Sequence, residues 1–245
     1  NLAEILDERY LGELTSELLS SYDEDKSSRQ EWLDGFTKGL DLLGIQAEDR
    51  DQPFAGASGV THPLLSEATT QFQAQAYKEL LPPNGPVSTK VVGEETPESV
   101  AQANRVKEFM NYQITEVMED YDPEMDQLLF YLPLSGSAFK KVYYDSILDR
   151  PSAVFVKAED LVVSYDTTNL ETSPRITHSV NMTGNDIRKM QLTGIYRDIE
   201  LSGGGVSEYN DAQEKIDELQ GKSRPASDYD NYTILEFHVD LELEG

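Results

Sequence analysis

The sequence predicts an α+β fold, and three observations support this class. Apolar residues recur at helical spacing through most of the first 134 residues. Segments that alternate like strands then follow one another between residues 138 and 182. The order is helices, one strand, helices, a strand meander and mixed elements, and it lacks the regular strand–helix alternation of doubly wound α/β proteins. A chain of 245 residues buries a core without disulfide or metal cross-links.

The first 52 residues are predicted to form a helical pair. Apolar residues follow the helical period in residues 5–22, and a polar break is expected at residues 23–26. A second helix is predicted from about Ser27 to Leu43. Gly44 comes next, and glycine is the residue that helix C-termini favour because it adopts the left-handed conformation readily.

A third helix and a strand are predicted between residues 61 and 93. The helix starts at residue 61 or 62, and Pro63 in its first turn does no harm because the N–H groups there have no helical partner. Two prolines after Leu81 end it. Residues 87–93, "VSTKVVG", indicate a strand. The expected buried stripe of the helix comprises Leu65, Ala68, Phe72, Ala76 and Leu80.

Two further helices are predicted at residues 96–121 and 123–134. Thr96 is followed by a proline and an acid, which is a typical start signal, and this helix is expected to be the longest of the chain. The same signal recurs at Asp122-Pro123-Glu124. The meander that follows comprises strands at residues 138–145, 152–157, 160–165 and 175–182.

The rest of the chain contains a short helix, an acidic arm and a final strand. Thr183 is expected to cap a helix that runs through Met190. An initial residue other than methionine and a strand-like C-terminal segment lead us to expect a fragment of a longer protein. We predict four segments: a helical pair at 1–52, an α+β core at 53–198, a flexible acidic arm with one helix at 199–231, and the start of a strand at 232–245.

Composition excludes several classes of function. The chain has 46 acids and 20 bases, a net charge of −26, and such a surface repels the phosphate backbone of DNA. It has no cysteine, so thiol catalysis, cysteine-based zinc sites and disulfide scaffolds are excluded. No apolar run approaches the roughly 20 residues that a membrane helix needs. We therefore expect neither sequence-specific DNA binding nor membrane insertion.

The segment Ser135-Gly136-Ser137 poses the question of a catalytic serine. A nucleophile elbow needs a strand, a sharp turn and then a helix, whereas here a helix precedes the serines and a strand follows. The helix end that faces them has negative potential, which opposes an oxyanion. We therefore predict a helix-to-strand turn in which Gly136 meets a backbone requirement.

The other polar motifs also favour structural roles. The three histidines, His62, His178 and His238, lack metal-ligand spacing. The loop "GASGVTH" lacks the ending of a phosphate-binding P-loop. The acids between residues 120 and 126 are attributed to helix capping and to the helix dipole. We therefore predict no catalytic, cofactor-binding or metal-binding residues and no enzyme activity.

Two polar features are compatible with contacts to a neighbouring subunit. Gln71, Gln73 and Gln75 line the polar side of the third helix, with small alanines between them, which fits either a solvated surface or a helix packed against a neighbouring subunit. Lys140 and Lys141 are a basic pair within a strand, and adjacent strand residues face opposite ways, so they do not form one patch.

Three long stretches are distinctive: "PFAGASGVTHPLLSEATTQFQAQAYKELLP" (53–82), "RVKEFMNYQITEVMEDYDPEMDQLLFYLPLSGSAFKKVYYD" (105–145) and "FVKAEDLVVSYDTTNLETSPRITHSVNMTGNDIRKMQLTGIYRD" (155–198). They resemble the portal, or head-to-tail connector, proteins of tailed double-stranded-DNA bacteriophages. The resemblance implies a structural subunit of a ring, typically a dodecamer, at one vertex of the capsid. Residues 53–198 would then be its wing-type domain, with the stem and clip regions beyond this chain.

The resemblance also implies partners and a location. The ring contacts the major capsid protein, the large terminase subunit docks on it, and tail adaptor proteins attach to it. Double-stranded DNA passes through its channel during genome packaging and ejection, without sequence-specific binding. The protein is made in the host cytoplasm and resides in the virion, at the portal vertex.

The ring interpretation suggests interface residues, and two alternatives stay open. Candidates for the subunit interface are Gln71, Gln75, Arg105, Lys140 and Lys141, with the 63–81 or 96–121 helix contributing to the contact. The first alternative is a monomeric acidic adaptor, or DNA mimic, that binds a basic partner. The second is an α+β hydrolase that acts through Ser137 or an acid pair.

Overall fold

The α+β class is confirmed in the computed structural model. It describes residues 5–43, 54–57, 59, 62–201, 211–219, 221 and 231–241, and these contain seven α-helices and two antiparallel sheets. Contacts group the chain into two compact units. The middle unit is Leu42–Ala158, and the terminal unit combines Asn1–Asp41 with Glu159–Gly245. The boundaries of these two units differ from those of the four predicted segments. The division into four segments stays a prediction.

The terminal unit begins with helices α1 (Glu8–Ser28) and α2 (Gln30–Leu43). The predicted helical pair is present, but the predicted break at residues 23–26 is wrong, because α1 continues through it and ends at Ser28. Glu24 and Lys26 have favourable helix propensity, the buried Asp25 is paired with Arg175, and Lys26 in the last turn complements the helix dipole. Gly44 lies outside the described residues.

A three-stranded sheet follows α2 in the terminal unit. Its strands are, in order, β3 (Leu161–Val163), β4 (Arg175–Thr183) and β5 (Asn231–Val239), with both pairs antiparallel, and Val162 on β3 is fully buried. Thr183 caps helix α6 (Gly184–Leu192) by accepting a hydrogen bond from the backbone N–H of Asp186, as predicted. The unit also contains helix α7 (Asp211–Leu219) and a 3₁₀ turn at Leu170–Thr172.

The middle unit contains three α-helices: α3 (Leu64–Leu80), α4 (Pro97–Tyr112) and α5 (Tyr121–Ser135). Thr96 caps α4 through a capping box with Ser99, which confirms the predicted start. The expected length is wrong: α4 has 16 residues, passes into a π-helical turn at Gln113–Val117, and is shorter than α1 with 21. Pro63 directly precedes α3 and lies outside its first turn.

The predicted strand at residues 87–93 is wrong, since this segment has no regular structure. The side chain of Asn111 makes hydrogen bonds that the backbone of a neighbouring strand would make in a sheet. The amide of Asn111 on α4 accepts a hydrogen bond from the Val87 N–H at 2.9 Å and donates one to the Val87 carbonyl at 3.1 Å. Thr89 donates to the carbonyl of Ala103 on the same helix. Side chains of α4 and this segment therefore satisfy backbone groups that a strand would have paired.

Strands β1 (Phe139–Asp145) and β2 (Arg150–Val156) form an antiparallel hairpin. The hairpin packs on α5, where Leu129 is buried and Tyr131 meets Phe155 edge to face at 5.4 Å between ring centroids. The single predicted meander is therefore two sheets, this hairpin in the middle unit and the three-stranded sheet in the terminal unit.

Candidate subunit interface

Gln71 and Gln75 lie on the exposed side of α3. The opposite side of the helix contacts α5, with Thr69 buried there. Gln73 donates to the Asp126 carboxylate at 2.7 Å, so this third glutamine is engaged within the unit. The two predicted interface glutamines are consequently available to a neighbouring molecule.

The apolar stripe predicted for α3 is only partly buried. Phe72 and Leu80 are more than two-fifths exposed, and Ala68 is exposed as well. The helix turns polar groups towards α5: besides Gln73, Tyr77 donates to the Asp122 carboxylate at 2.5 Å. Because polar contacts occupy the face of α3 that packs on α5, part of the apolar surface of α3 remains exposed to solvent.

Arg105 lies on α4, a helix with no buried residue. Neither Arg105 nor Lys107 has an ion-pair partner among the described residues. Large apolar side chains are exposed on the same helix: Val100, Val106, Phe109, Met110 and Tyr112. Helix α4 is therefore a second exposed surface of the middle unit, apolar and bordered by bases.

The two lysines of β1 have different surroundings. Lys140 faces α5: its Nζ lies 3.8 Å from the ring centroid of Tyr121 and 3.7 Å from the sulfur of Met125. Burial lowers the pKa of Lys140, and the charge of Glu124 partly opposes this shift. Lys141 lies over Tyr143 of its own strand, at 5.8 Å. The structure therefore places Lys140 inside the middle unit, in a cation–π contact.

The acids at the start of α5 make contacts that sequence reasoning missed. The Glu124 carboxylate accepts the backbone N–H of Phe155 on β2 at 2.6 Å. The Asp120 carboxylate accepts from Arg150 at 3.0 Å. The attribution of these acids to capping is wrong for Asp122 and Glu124, because their carboxylates bind other elements. Among the described residues, no group of histidines and acids is arranged to hold a metal ion.

The two serines form the predicted turn. Gly136 ends α5 in the left-handed conformation, with φ of 77°. The Ser135 hydroxyl is buried, and its single hydrogen is shared between the backbone carbonyls of Tyr131 and Ser137, which both lie within hydrogen-bond distance. Ser135 therefore stabilises the C-terminal end of α5. The predicted helix-to-strand turn is confirmed.

The histidines occupy different sites. His62 and His238 are exposed, and His178 on the central strand β4 lies 3.3 Å from the Glu236 carboxylate.

A cleft in the terminal unit lies between the α1–α2 junction and β3. Arg29, Trp32, Leu161 and Tyr165 are among its lining residues. Burial lowers the pKa of Arg29, and its guanidinium donates to the backbone carbonyls of Glu159 and Leu161. Arg29 is thus already engaged in holding the helix junction to β3.

The tip of the β1–β2 hairpin is a further exposed surface, and it joins the strands predicted at residues 138–145 and 152–157. Its large apolar side chains are Val142, Tyr143, Tyr144, Ile147 and Leu148, all more than two-fifths exposed. The signal was present in the sequence: the loop has two aliphatic residues between Asp145 and Asp149, where turns usually have glycine, asparagine or proline.

The chain matches no protein-family model, and it matches no curated protein sequence. Within the described residues, no helix has both the length and the apolar character needed to cross a membrane. The exposed surfaces of α3, α4 and the hairpin are therefore the structural features that bear on function, beside the resemblance in the sequence itself.

Proposed function

We propose that this chain is a structural subunit of the portal ring of a tailed double-stranded-DNA bacteriophage, with residues 53–198 as part of its wing domain. One observation supports the proposal most: large apolar side chains are exposed on α3, α4 and the hairpin tip, within the region that resembles portal proteins. Contiguous exposed apolar surface marks sites of protein association. A ring subunit needs such surfaces because each copy contacts two neighbours.

The exposed surfaces suit a closed ring. Head-to-tail assembly uses two different surfaces of each subunit, and a ring results when the rotation between copies closes. The middle unit offers more than one candidate surface: the outer side of α3 with Gln71 and Gln75, and the face of α4 beside Arg105. In this proposal, those residues lie at contacts between neighbouring copies.

The charge of the chain suits the passage of DNA. With a net charge of −26, a ring of these subunits repels phosphate groups and lets the duplex slide without gripping it. The proposed partners are further copies of the chain, the major capsid protein, the large terminase subunit and the tail adaptors, at the portal vertex of the virion. Reversing exposed acids in the assembled ring is expected to slow packaging or ejection, and unchanged rates would contradict this role of charge.

Electron microscopy of the full-length protein, purified without other viral components, tests the proposal. We expect closed rings with a central hole. The Arg105→Glu variant, combined with Gln71→Lys and Gln75→Lys, should form fewer rings. The Arg9→Glu control, which makes the same arginine-to-glutamate change on α1, should assemble normally. Uniform monomers across protein concentration and salt would contradict the proposal.

A monomeric acidic adaptor is the second candidate, and the large excess of acids favours it. Such a protein would bind a basic partner through charge and would not need its apolar surfaces covered by copies of itself. Sedimentation distinguishes the two: an adaptor stays monomeric alone and forms a salt-sensitive complex with a basic protein, whereas a portal subunit associates with itself.

A further inference from the structure

The hairpin tip is an apolar surface between two acids. Val142, Ile147 and Leu148 are 69%, 51% and 53% exposed. Asp145 and Asp149 are on either side of the two aliphatic loop residues, and no base lies between residues 142 and 149. The tip therefore combines an apolar centre with a negative border.

Hydrogen bonds hold the tip in one conformation. The Asp145 carboxylate accepts the backbone N–H groups of Ile147 at 2.8 Å and Leu148 at 3.0 Å. Tyr144 donates to the Asp149 carboxylate at 2.6 Å, and Asp149 adopts a left-handed φ of 53° that closes the turn. A surface ordered before binding loses little conformational entropy when a partner covers it. The exposed aliphatic residues are thus presented on a preorganised loop.

Helix α4 has the complementary surface. Val106, Phe109 and Met110 recur at i, i+3 and i+4, which places them on one face, and Phe109 is 59% exposed. Arg105 and Lys107 border this face on its two sides, by the same helical geometry. As both lack ion-pair partners among the described residues, the positive charge is available to an acidic surface.

We propose that the hairpin tip of one copy docks on the α4 face of a second copy. Apolar residues would cover Ile147 and Leu148, while Arg105 and Lys107 approach Asp145 and Asp149. Charge complementarity selects this occupant: the chain has 46 acids and only 20 bases, and this apolar helix presents two bases that form no ion pair with any described residue. The acids on the tip disfavour anionic surfaces such as lipid headgroups or nucleic acid.

The contact is heterologous, because the tip and the helix face are different surfaces of the same middle unit. Each copy consequently has one hairpin tip and one α4 face. Docking continues from copy to copy until a ring closes. The inference rests on the proposed ring function and specifies which surfaces meet in it. It also assigns Arg105 to the border of the docking site.

Cysteine cross-linking tests the contact directly, since the native chain has no cysteine. Ile147→Cys and Phe109→Cys are made separately in the full-length protein, mixed, and oxidised with copper phenanthroline. A disulfide needs Cα atoms within about 7 Å, so only a true contact reacts efficiently. Leu192→Cys, exposed and apolar but in the terminal unit, replaces Ile147→Cys in the control mixture.

We expect the Ile147→Cys and Phe109→Cys mixture to give cross-linked dimers at least about tenfold faster than either variant alone or the control mixture. The double variant should give a ladder of covalent multimers. Efficient homodimers of Ile147→Cys alone would indicate a two-fold contact and overturn the inference. Rings in electron microscopy without this cross-link would overturn the contact while leaving the ring. Monomers under all conditions would overturn both.

Charge reversal provides a second readout that does not depend on the disulfide. The Arg105→Glu/Lys107→Glu variant should self-associate at least about tenfold more weakly than the native chain, by sedimentation at low salt. The control Arg9→Glu/Lys38→Glu makes the same charge change on α1 and α2 and should associate normally. Circular dichroism checks that both variants fold. Equal association of the two variants would contradict a docking site at α4.

Discussion

Two polar contacts, one in each unit, differ in the group that binds another element. In the terminal unit the group is a cation: Arg175 binds the buried Asp25 carboxylate at 2.7 Å. The middle unit has a cation contact as well, between Arg150 and Asp120, but it also has an acid of α5, Glu124, that accepts a backbone N–H of β2.

The difference predicts how each unit responds to the loss of one partner. Removal of Asp25 leaves a guanidinium in a mostly buried position without its counter-charge, which is costly. Removal of Glu124 leaves a neutral N–H unpaired, and an unpaired neutral donor costs less than an unpaired charge. Both contacts therefore matter, but the loss of Asp25 should cost more than the loss of Glu124.

The largest effect is expected from Asp25→Ala in the terminal unit. Its side chain is 7% exposed, and the variant leaves the charge of Arg175 without a partner. Breaking a buried pair from one side costs about 3–5 kcal/mol of unfolding free energy. Urea denaturation measures the loss, and hydrogen exchange should show it at the amides of β4, which contains Arg175.

Asp23→Ala is the control for this substitution, because Asp23 is exposed on the same helix. It should change the unfolding free energy by less than about 0.5 kcal/mol. The double variant Asp25→Leu/Arg175→Met removes both charges and should recover much of the stability. A double variant as unstable as Asp25→Ala would show that shape, and not the unpaired charge, explains the loss.

The second effect is expected from Glu124→Ala in the middle unit. The Phe155 N–H then loses its acceptor, at a cost of about 1–3 kcal/mol. Glu124→Gln keeps an acceptor oxygen and should lose less than the alanine variant. Glu116→Ala, an exposed acid in the preceding π-helical turn, serves as the matched control in urea denaturation. Equal losses for the alanine and glutamine variants would contradict the assigned hydrogen bond.

Elements whose signals are local could be predicted from the sequence. Thr96 and Thr183 cap the helices that follow them, and Gly136 ends α5 with a positive φ, each as predicted. These signals lie within four residues of the structure that they determine, so spacing and residue type suffice. Helix existence was likewise predictable from apolar periodicity.

Contacts between distant residues could not be predicted in the same way. Asp25 and Arg175 are 150 positions apart, and nothing in either neighbourhood indicates the other. Asn111 pairs with Val87 and so replaces the predicted strand. For the candidate interface, the sequence indicated Gln71, Gln75 and Arg105 on exposed helices. It did not indicate that Lys140 packs within the unit or that the hairpin tip is exposed.

A smaller effect, and one of equal size in both units, is expected from the helix caps. Thr183→Ala in the terminal unit and Thr96→Ala in the middle unit each remove a hydroxyl that accepts a backbone N–H at 3.2 Å. Each should cost about 1 kcal/mol. Replacement by serine should restore most of the loss, as measured by thermal unfolding. A much larger loss in one unit would show that its cap also determines tertiary packing.

The smallest effect concerns Tyr77 in the middle unit, and it depends on pH. The hydrogen bond to Asp122 raises the pKa of the Tyr77 phenol above its ordinary value. Since the folded-state pKa exceeds the unfolded-state value of about 10, the contribution to stability is fully present below pH 10. It is lost as the pH rises through the folded-state pKa. The expected contribution is less than about 1 kcal/mol because the pair is exposed to solvent.

Urea denaturation of wild type and Tyr77→Phe between pH 8 and pH 11 measures this contribution. Wild type should be slightly more stable at pH 8, and the difference should vanish towards the alkaline end, because ionised Tyr77 no longer donates to Asp122. Tyr165→Phe, exposed in the terminal unit, removes a hydroxyl without this partner and is the control. A difference that stays constant with pH would mean that the Tyr77 hydroxyl stabilises α3 by packing, and that the polar contact with α5 adds nothing.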